Sequence, residues 1–338
     1  ADLASYDGDD DPDIRYTSVA GGALNVWATT TLYIAPGSEF APGGAVTLHG
    51  NAVPTNPDGD LRLAPGLRQD GISTSSILTM GSSGITLAGN WFASSTSIFT
   101  HSGTATFNST STAQKLIVAT SSPFSALTFN GAGGSWTFGA GTASTTGAFT
   151  ITNGTVTAPS TVLSIGGSFT QNGSFTDNGG RVLFDGAGAT IAGTMTTGTT
   201  DFAEVQFLGS GTKTFSNNAS TSAFTIGSGV TMAAPFQITV AGNYANSGTF
   251  AHNQSTVFFD SSSAQGLSGT MTGTSAFATT TFIGSGTKTF NAAASTTAHF
   301  TINASAPVVA PTLLTIGGNF TQNGTFDAGS GTVYFSSS

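Results

Sequence analysis

Along most of the chain, apolar residues alternate with Thr, Ser or Asn over runs of four to six positions, as in Ala223-Phe-Thr-Ile226 and Thr256-Val-Phe-Phe259. A period of two is the signature of a strand with one buried face. Between the runs stand Asn-Gly, Gly-Ser-Gly and Asn-Gly-Gly, residues that accept positive φ at little cost and so mark tight turns. No window shows a 3.6-residue apolar period flanked by caps. The pattern predicts an essentially all-β chain.

The strand pattern is itself repeated. Ile165-Gly-Gly-Ser-Phe-Thr-Gln-Asn-Gly-Ser-Phe175 returns as Val240-Ala-Gly-Asn-Tyr-Ala-Asn-Ser-Gly-Thr-Phe250 and as Ile316-Gly-Gly-Asn-Phe-Thr-Gln-Asn-Gly-Thr-Phe326, a period of about 75 residues. Val182-Leu-Phe184, Val257-Phe-Phe259 and Val333-Tyr-Phe335 keep the same register, as do Ser210-Gly-Thr-Lys-Thr-Phe215 and Ser285-Gly-Thr-Lys-Thr-Phe290. A more diverged copy starts near Leu87-Ala-Gly-Asn-Trp91 and includes Phe124-Ser-Ala-Leu-Thr-Phe129. This divides the chain into an N-terminal arm and β cap (1–86), a diverged first repeat (87–164), two full repeats (165–239 and 240–315) and a partial C-terminal repeat (316–338).

Repeats of this length fit two architectures. In a β-solenoid each unit winds several coils whose inward side chains stack along one axis; in a string of β-sandwiches each unit is a separate module of about seven strands. The partial last copy favours the solenoid, because a third of a sandwich cannot cover its own face whereas a partial turn can stack on the coil before it. The expected core is Phe169, Phe175, Phe184, Phe207, Tyr244, Phe250, Phe259, Phe282, Phe320 and Phe326.

Composition narrows the setting. Charged residues are 7% of the chain, Gly numbers 46, and Cys is absent, so neither a disulfide framework nor a thiolate metal site holds the fold together. Gly, Ser, Thr or Asn breaks every apolar run well short of the ~18 residues that cross a bilayer, which argues against membrane insertion. The recurrent Phe, Val and Ile argue against disorder. Ten of the sixteen acids precede residue 71 and the net charge is −9; such a chain cannot neutralise a phosphate backbone, so nucleic acid is not an expected partner. Ala1 opens the sequence without Met, as in a mature secreted protein, although a fragment would look the same.

The Gly-Gly-Asn-Phe-Thr-Gln-Asn-Gly-Thr-Phe and Gly-Thr-Val-Tyr-Phe elements, over about residues 87–338, resemble the tandem repeats of bacterial secreted surface proteins, the adhesins and autotransporter-like passengers. The resemblance implies a β-solenoid at the cell surface or outside the cell. The chain lacks a recognisable membrane-anchoring segment of that family, which points to a free subunit of an assembly.

No catalytic residues are expected. In the repeat region the acids are Asp177, Asp185, Asp201, Glu204, Asp260 and Asp327, too few and too scattered for the paired carboxylates of a glycosidase or the acid cluster of a lyase. Asp185 and Asp260 are repeat-equivalent and read as turn residues. The one close pair, Asp201 and Glu204, is replaced by Ala276 and Thr279 in the next copy, so it lies outside the repeating scaffold. His49, His101, His252 and His299 show no metal-ligand spacing. The acidic run Asp7, Asp9, Asp10, Asp11 and Asp13, on a Gly/Pro-containing loop, offers hard oxygen ligands for Ca²⁺, or else forms a solvated acidic arm. Lys213 and Lys288, repeat-equivalent, read as solvent-facing lysines that deter side-to-side strand pairing.

The expected role is therefore a self-assembling extracellular filament or surface-layer subunit, joined head to tail by strand addition. The assembly residues are Leu24, Val26, Trp27, Leu32, Tyr33 and Ile34 near the start, and Val333, Tyr334 and Phe335 at the end. The partner is a second copy of the chain; the alternative is an adhesin or fibre module that binds glycans.

Overall fold

The computed structural model of the protein describes residues 77–93, 97–118, 122–195 and 202–336, together with the backbone of short strands before residue 77 and the buried Val46. The chain is all-β, with parallel strands stacked as the coils of a β-solenoid, and it divides into two compact units, 1–144 and 145–338. The sandwich alternative falls: tandem sandwiches are built from antiparallel hairpins, whereas the strand pairs within each unit are parallel apart from one short pair, Gly66–Leu67 with Ser73–Thr74. Parallel neighbours need a long return path. Here the rest of the coil supplies it.

In the second unit one column of paired positions runs Leu163, Val182, Val205, Phe224, Tyr244, Leu267 and Phe290, so that one coil takes up roughly 20 residues. A second column runs Val240, Phe259, Phe282 and Ile302. Alternation then dictates the interior, because every second residue of a strand points to the same side. Rungs about 4.8 Å apart place like side chains face to face: Phe184 stacks on Phe207 at 5.6 Å, Phe224 on Tyr244 at 5.8 Å and Phe259 on Phe282 at 5.4 Å between ring centroids. Phe169, Phe175, Phe184, Phe207, Tyr244, Phe250, Phe259 and Phe282 are buried. Phe320 and Phe326, expected in the core, are only half-buried, since no coil covers their far side among the described residues.

The repeat is out of phase with the coil. Phe169–Gln171 pairs with Phe149–Thr157 and Ala189–Gly193, Tyr244–Asn246 pairs with Ala219–Ile226 and Gln265–Gly269, and Phe320–Gln322 pairs with Phe300–Ile302. These are three different ladders for three repeat-equivalent strands. A repeat of about 75 residues wound on coils of roughly 20 does not close on a whole number of coils, so an equivalent residue in the next copy faces another side of the coil.

In the first unit Ile85–Leu87, Thr104–Phe107 and Ala126–Phe138 stack in parallel, and Trp91, Phe99 and Phe124 pack together with centroids 4.8 to 5.7 Å apart. The segment read as an N-terminal arm and β cap contributes to the same ladders: Leu24–Val26 pairs with Val46–Leu48, which pairs with Ile85–Leu87, and Thr31–Ile34 pairs with Asp60–Leu63, which pairs with Trp91–Ala93. Parallel coil pairing thus starts well before residue 86.

Candidate functional site

Two sets of strand edges end the described ladders. In the first unit Tyr16–Thr17, Leu24–Val26 and Thr31–Ile34 each pair on one side only among the described residues, with Glu39–Ala41, Val46–Leu48 and Asp60–Leu63. In the second unit Phe320–Gln322, Thr325–Asp327 and Thr332–Phe335 each pair on one side only among the described residues, with Phe300–Ile302, Pro307–Val309 and Leu313–Ile316. A free parallel edge offers unpaired N–H and C=O groups, and soluble proteins blunt such edges with charge, Pro or a cap. Across the strands of the second set the one charged side chain is Asp327, and they contain no Pro.

In the last described coil the aromatic interior is half-covered among the described residues. Phe320 lies 5.4 Å from Phe326 and 6.0 Å from Phe335 between centroids, and Tyr334 and Phe335 are each 58% exposed. Val333, two positions from Phe335, is half-buried against the coil before it, opposite Leu314. Of the assembly residues read from sequence, Leu24 and Val26 stand on one edge strand and Leu32, Tyr33 and Ile34 on another. Trp27 and the acidic residues Asp7, Asp9, Asp10, Asp11 and Asp13 lie outside the described residues.

The two Gly-Ser-Gly-Thr-Lys loops overturn the reading of their lysines as solvent-facing. Lys213 and Lys288 are fully buried. Lys213 Nζ donates to the carbonyls of Gly186 (2.6 Å), Leu208 (2.9 Å) and Ser210 (2.6 Å), so three protons meet three acceptors. Lys288 Nζ donates to the carbonyls of Ser261 (3.0 Å) and Gly284 (2.7 Å), the equivalent turn and loop one copy on. Burial pushes both ammonium groups below the ordinary lysine range, and Asp185 and Asp260 respectively pull the other way. The loops close this tightly only on glycine: a Cβ at Gly211, at φ +72°, would sit 1.7 Å from the Ala187 carbonyl, and one at Gly286 would sit 1.8 Å from that of Ser263. Each lysine is an internal cation that ties one coil's turn to the next. Its signal in the sequence is parity, since Lys213 is two positions from the inward Phe215 on one strand.

The described acids Glu204, Asp177 and Asp185 make local contacts. Glu204 pairs with Arg181 at 2.7 Å across adjacent rungs, a half-exposed pair of small energetic weight. Asp201 lies outside the described residues. Asp177 accepts the N–H groups of Gly179 and Ala203, and Asp185 accepts the Ser164 hydroxyl at 2.6 Å. Among the described residues no group of three or more His, Cys, Asp or Glu is placed to hold a metal ion, and no helix is long and apolar enough to cross a membrane. His101 packs in the Phe99 and Phe124 cluster at 4.1 and 6.2 Å, and burial pushes its imidazole down to about 4 against a backbone hydrogen bond at Gly103 that raises it.

Comparison of the chain with protein-family models, with curated proteins and with solved structures finds no match. The class the fold defines, a β-solenoid of stacked parallel coils, therefore carries the functional argument.

Proposed function

We propose that this chain is a structural subunit of an extracellular, self-assembling filament or surface layer of the bacterial surface-protein kind, extended head to tail by coil-on-coil strand addition. The observation that supports this reading is the two sets of described strand edges: parallel edges with one described neighbour in the first unit, and parallel edges over a half-open aromatic interior in the second. A parallel ladder has direction, so an edge of the first kind can pair with one of the second and not with itself. That contact is heterologous and propagates instead of closing. Ca²⁺ held by Asp7, Asp9, Asp10, Asp11 and Asp13 belongs to the same reading; chelation should then raise protease sensitivity within residues 1–20, and equal cleavage with and without calcium would remove it.

The test is truncation. Deleting residues 1–35, or deleting 316–338, should each give a folded chain that forms no filaments. Filaments of normal length from both truncations would place the contact elsewhere. A glycan-binding module is the second reading, favoured by an aromatic residue of the second unit, Phe236, that is exposed away from the last coil.

A further inference from the structure

Phe236 and Gln254 break rules that their own repeat keeps, as Ser305 does with φ 70° where Gly154 and Gly229 stand at 86° and 78°; Phe236 and Gln254 stand on neighbouring coils at one corner. An Ala-Pro turn recurs at repeat-equivalent positions, and its exposed follower is Ser160 after Pro159 and Thr312 after Pro311, but Phe236 after Pro235. Phe236 is 79% exposed, more than any other large apolar side chain among the described residues. The turn Asp177-Asn178-Gly179-Gly180 puts Asn178 and Gly179 at φ 56° and 73°, while its counterpart one copy on puts Asn253 and Gln254 at φ 46° and 60°. A glutamine stands in the left-handed region where the repeat supplies glycine, which is strained for a residue with a Cβ.

The strained turn costs stability, the exposed ring adds none, and neither serves packing. The backbone sets them side by side: Thr256 N–H donates to the Phe236 carbonyl at 3.0 Å, so the 252–255 turn leads directly into the rung above Phe236. On the coil below, Asn218 Oδ1 accepts the Gln237 N–H at 3.0 Å, which fixes that amide beside the same corner. His252 Nδ1 accepts the Gln254 N–H at 3.0 Å, so the ring proton resides on Nε2 and remains a donor. The Gln254 side chain is exposed and makes no hydrogen bond among the described residues. No Asp, Glu, Lys or Arg occurs between Ser216 and Phe259.

We infer that this corner is a binding site for a neutral glycan. Phe236 is the platform for the apolar face of a pyranose ring, and Gln254, Asn218 and His252 supply uncharged hydrogen-bonding groups for its hydroxyls. The absence of charge along 216–259 fits a neutral sugar and gives an anionic polysaccharide or a phosphate nothing to pair with. A lone exposed ring explains nothing by itself, but an exposed ring and a strained amide, each placed where the repeat has a cheaper residue, point to retention for binding. The inference gives the glycan-binding reading a place and a ligand class, and it stands apart from the filament reading, because the corner belongs to neither set of free edges.

The probes are three neutral oligosaccharides, cellohexaose, mannohexaose and a β-1,3-glucan hexamer, titrated into the full chain with saturation-transfer NMR and calorimetry. At least one should bind, with an affinity unchanged by added salt. Phe236→Ala should weaken that binding at least tenfold, Phe236→Tyr should keep it, and Gln254→Gly should weaken it while raising the thermal midpoint by relieving the turn. Three results would overturn the inference: none of the three sugars binding, Phe236→Ala leaving affinity unchanged, or Phe236→Ala altering only the oligomeric state in light scattering, which would make the ring a contact between copies. Filament formation by Phe236→Ala, read in the same samples, reports on the assembly model separately.

Discussion

Phe259→Ala removes a ring that is fully buried and that touches Phe282 on the next rung at 5.4 Å, Phe277 at 5.7 Å and Tyr244 at 6.0 Å between centroids. Transfer of the side chain to water accounts for about 1.5–3 kcal/mol. The cavity adds to this, because Phe282 and Tyr244 sit on separate strands held by their own ladders and Phe277 on a bridge to Thr296, so they cannot collapse inward without breaking register. The total is about 3–5 kcal/mol, the range of large-to-small changes at buried aromatics. Coils in a solenoid contact only their neighbours, so the loss should concentrate nearby. Hydrogen exchange should show faster opening of Gln237–Val240, Thr256–Asp260 and Thr279–Ile283, with Val162–Ile165 little changed, and urea unfolding should give the total. The control is Phe236→Ala, which deletes the same ring from an exposed position and should change stability by less than about 0.5 kcal/mol. Equal effects from the two substitutions would refute the assignment of the inner column.

Tyr244→Phe should raise stability by about 1 kcal/mol in urea, because the Tyr244 hydroxyl is buried beside Asn246, whose amide is already engaged by the Thr270 carbonyl and the Gly248 N–H, and makes no well-formed hydrogen bond, while the equivalent positions hold Phe169 and Phe320; a loss of stability would mean that Asn246 satisfies the hydroxyl. Lys213→Met keeps the apolar stem but strips the donor from three carbonyls, so it should cost about 2–3 kcal/mol, and an unchanged unfolding midpoint would show the cage to be incidental. For His101 the unfolded imidazole titrates near 6.5 and the folded one near 4. Between these values the unfolded chain holds the extra proton, so stability falls as pH drops through this window. Partial exposure limits the loss to about 1–2 kcal/mol, and His101→Gln should flatten the difference between urea midpoints at neutral pH and at mildly acidic pH inside that window; an undiminished difference would assign it to other groups.

Strand type and the solenoid were legible because two independent periods agree: alternation gives the strand, and the return of Gly166-Gly-Ser-Phe169 as Gly317-Gly-Asn-Phe320 gives the stack. The ladder to which each copy belongs was not, since nothing in a linear repeat fixes coil length; it is set by where the turns close. Which ladders the strands before residue 86 join was not legible, because those short strands, such as Leu24–Val26, carry no copy of the motif. Lysine chemistry misled at Lys213, where residue type suggested solvent and parity with Phe215 pointed inward.

The claim of head-to-tail growth is tested most directly by electron microscopy of the purified full-length chain, combined with fibre diffraction of aligned samples. Coil-on-coil addition predicts unbranched filaments with a reflection near about 4.8 Å along the fibre axis, the spacing of parallel rungs. Discrete particles that do not lengthen as protein concentration rises, or filaments whose strand spacing lies across the axis, would contradict it.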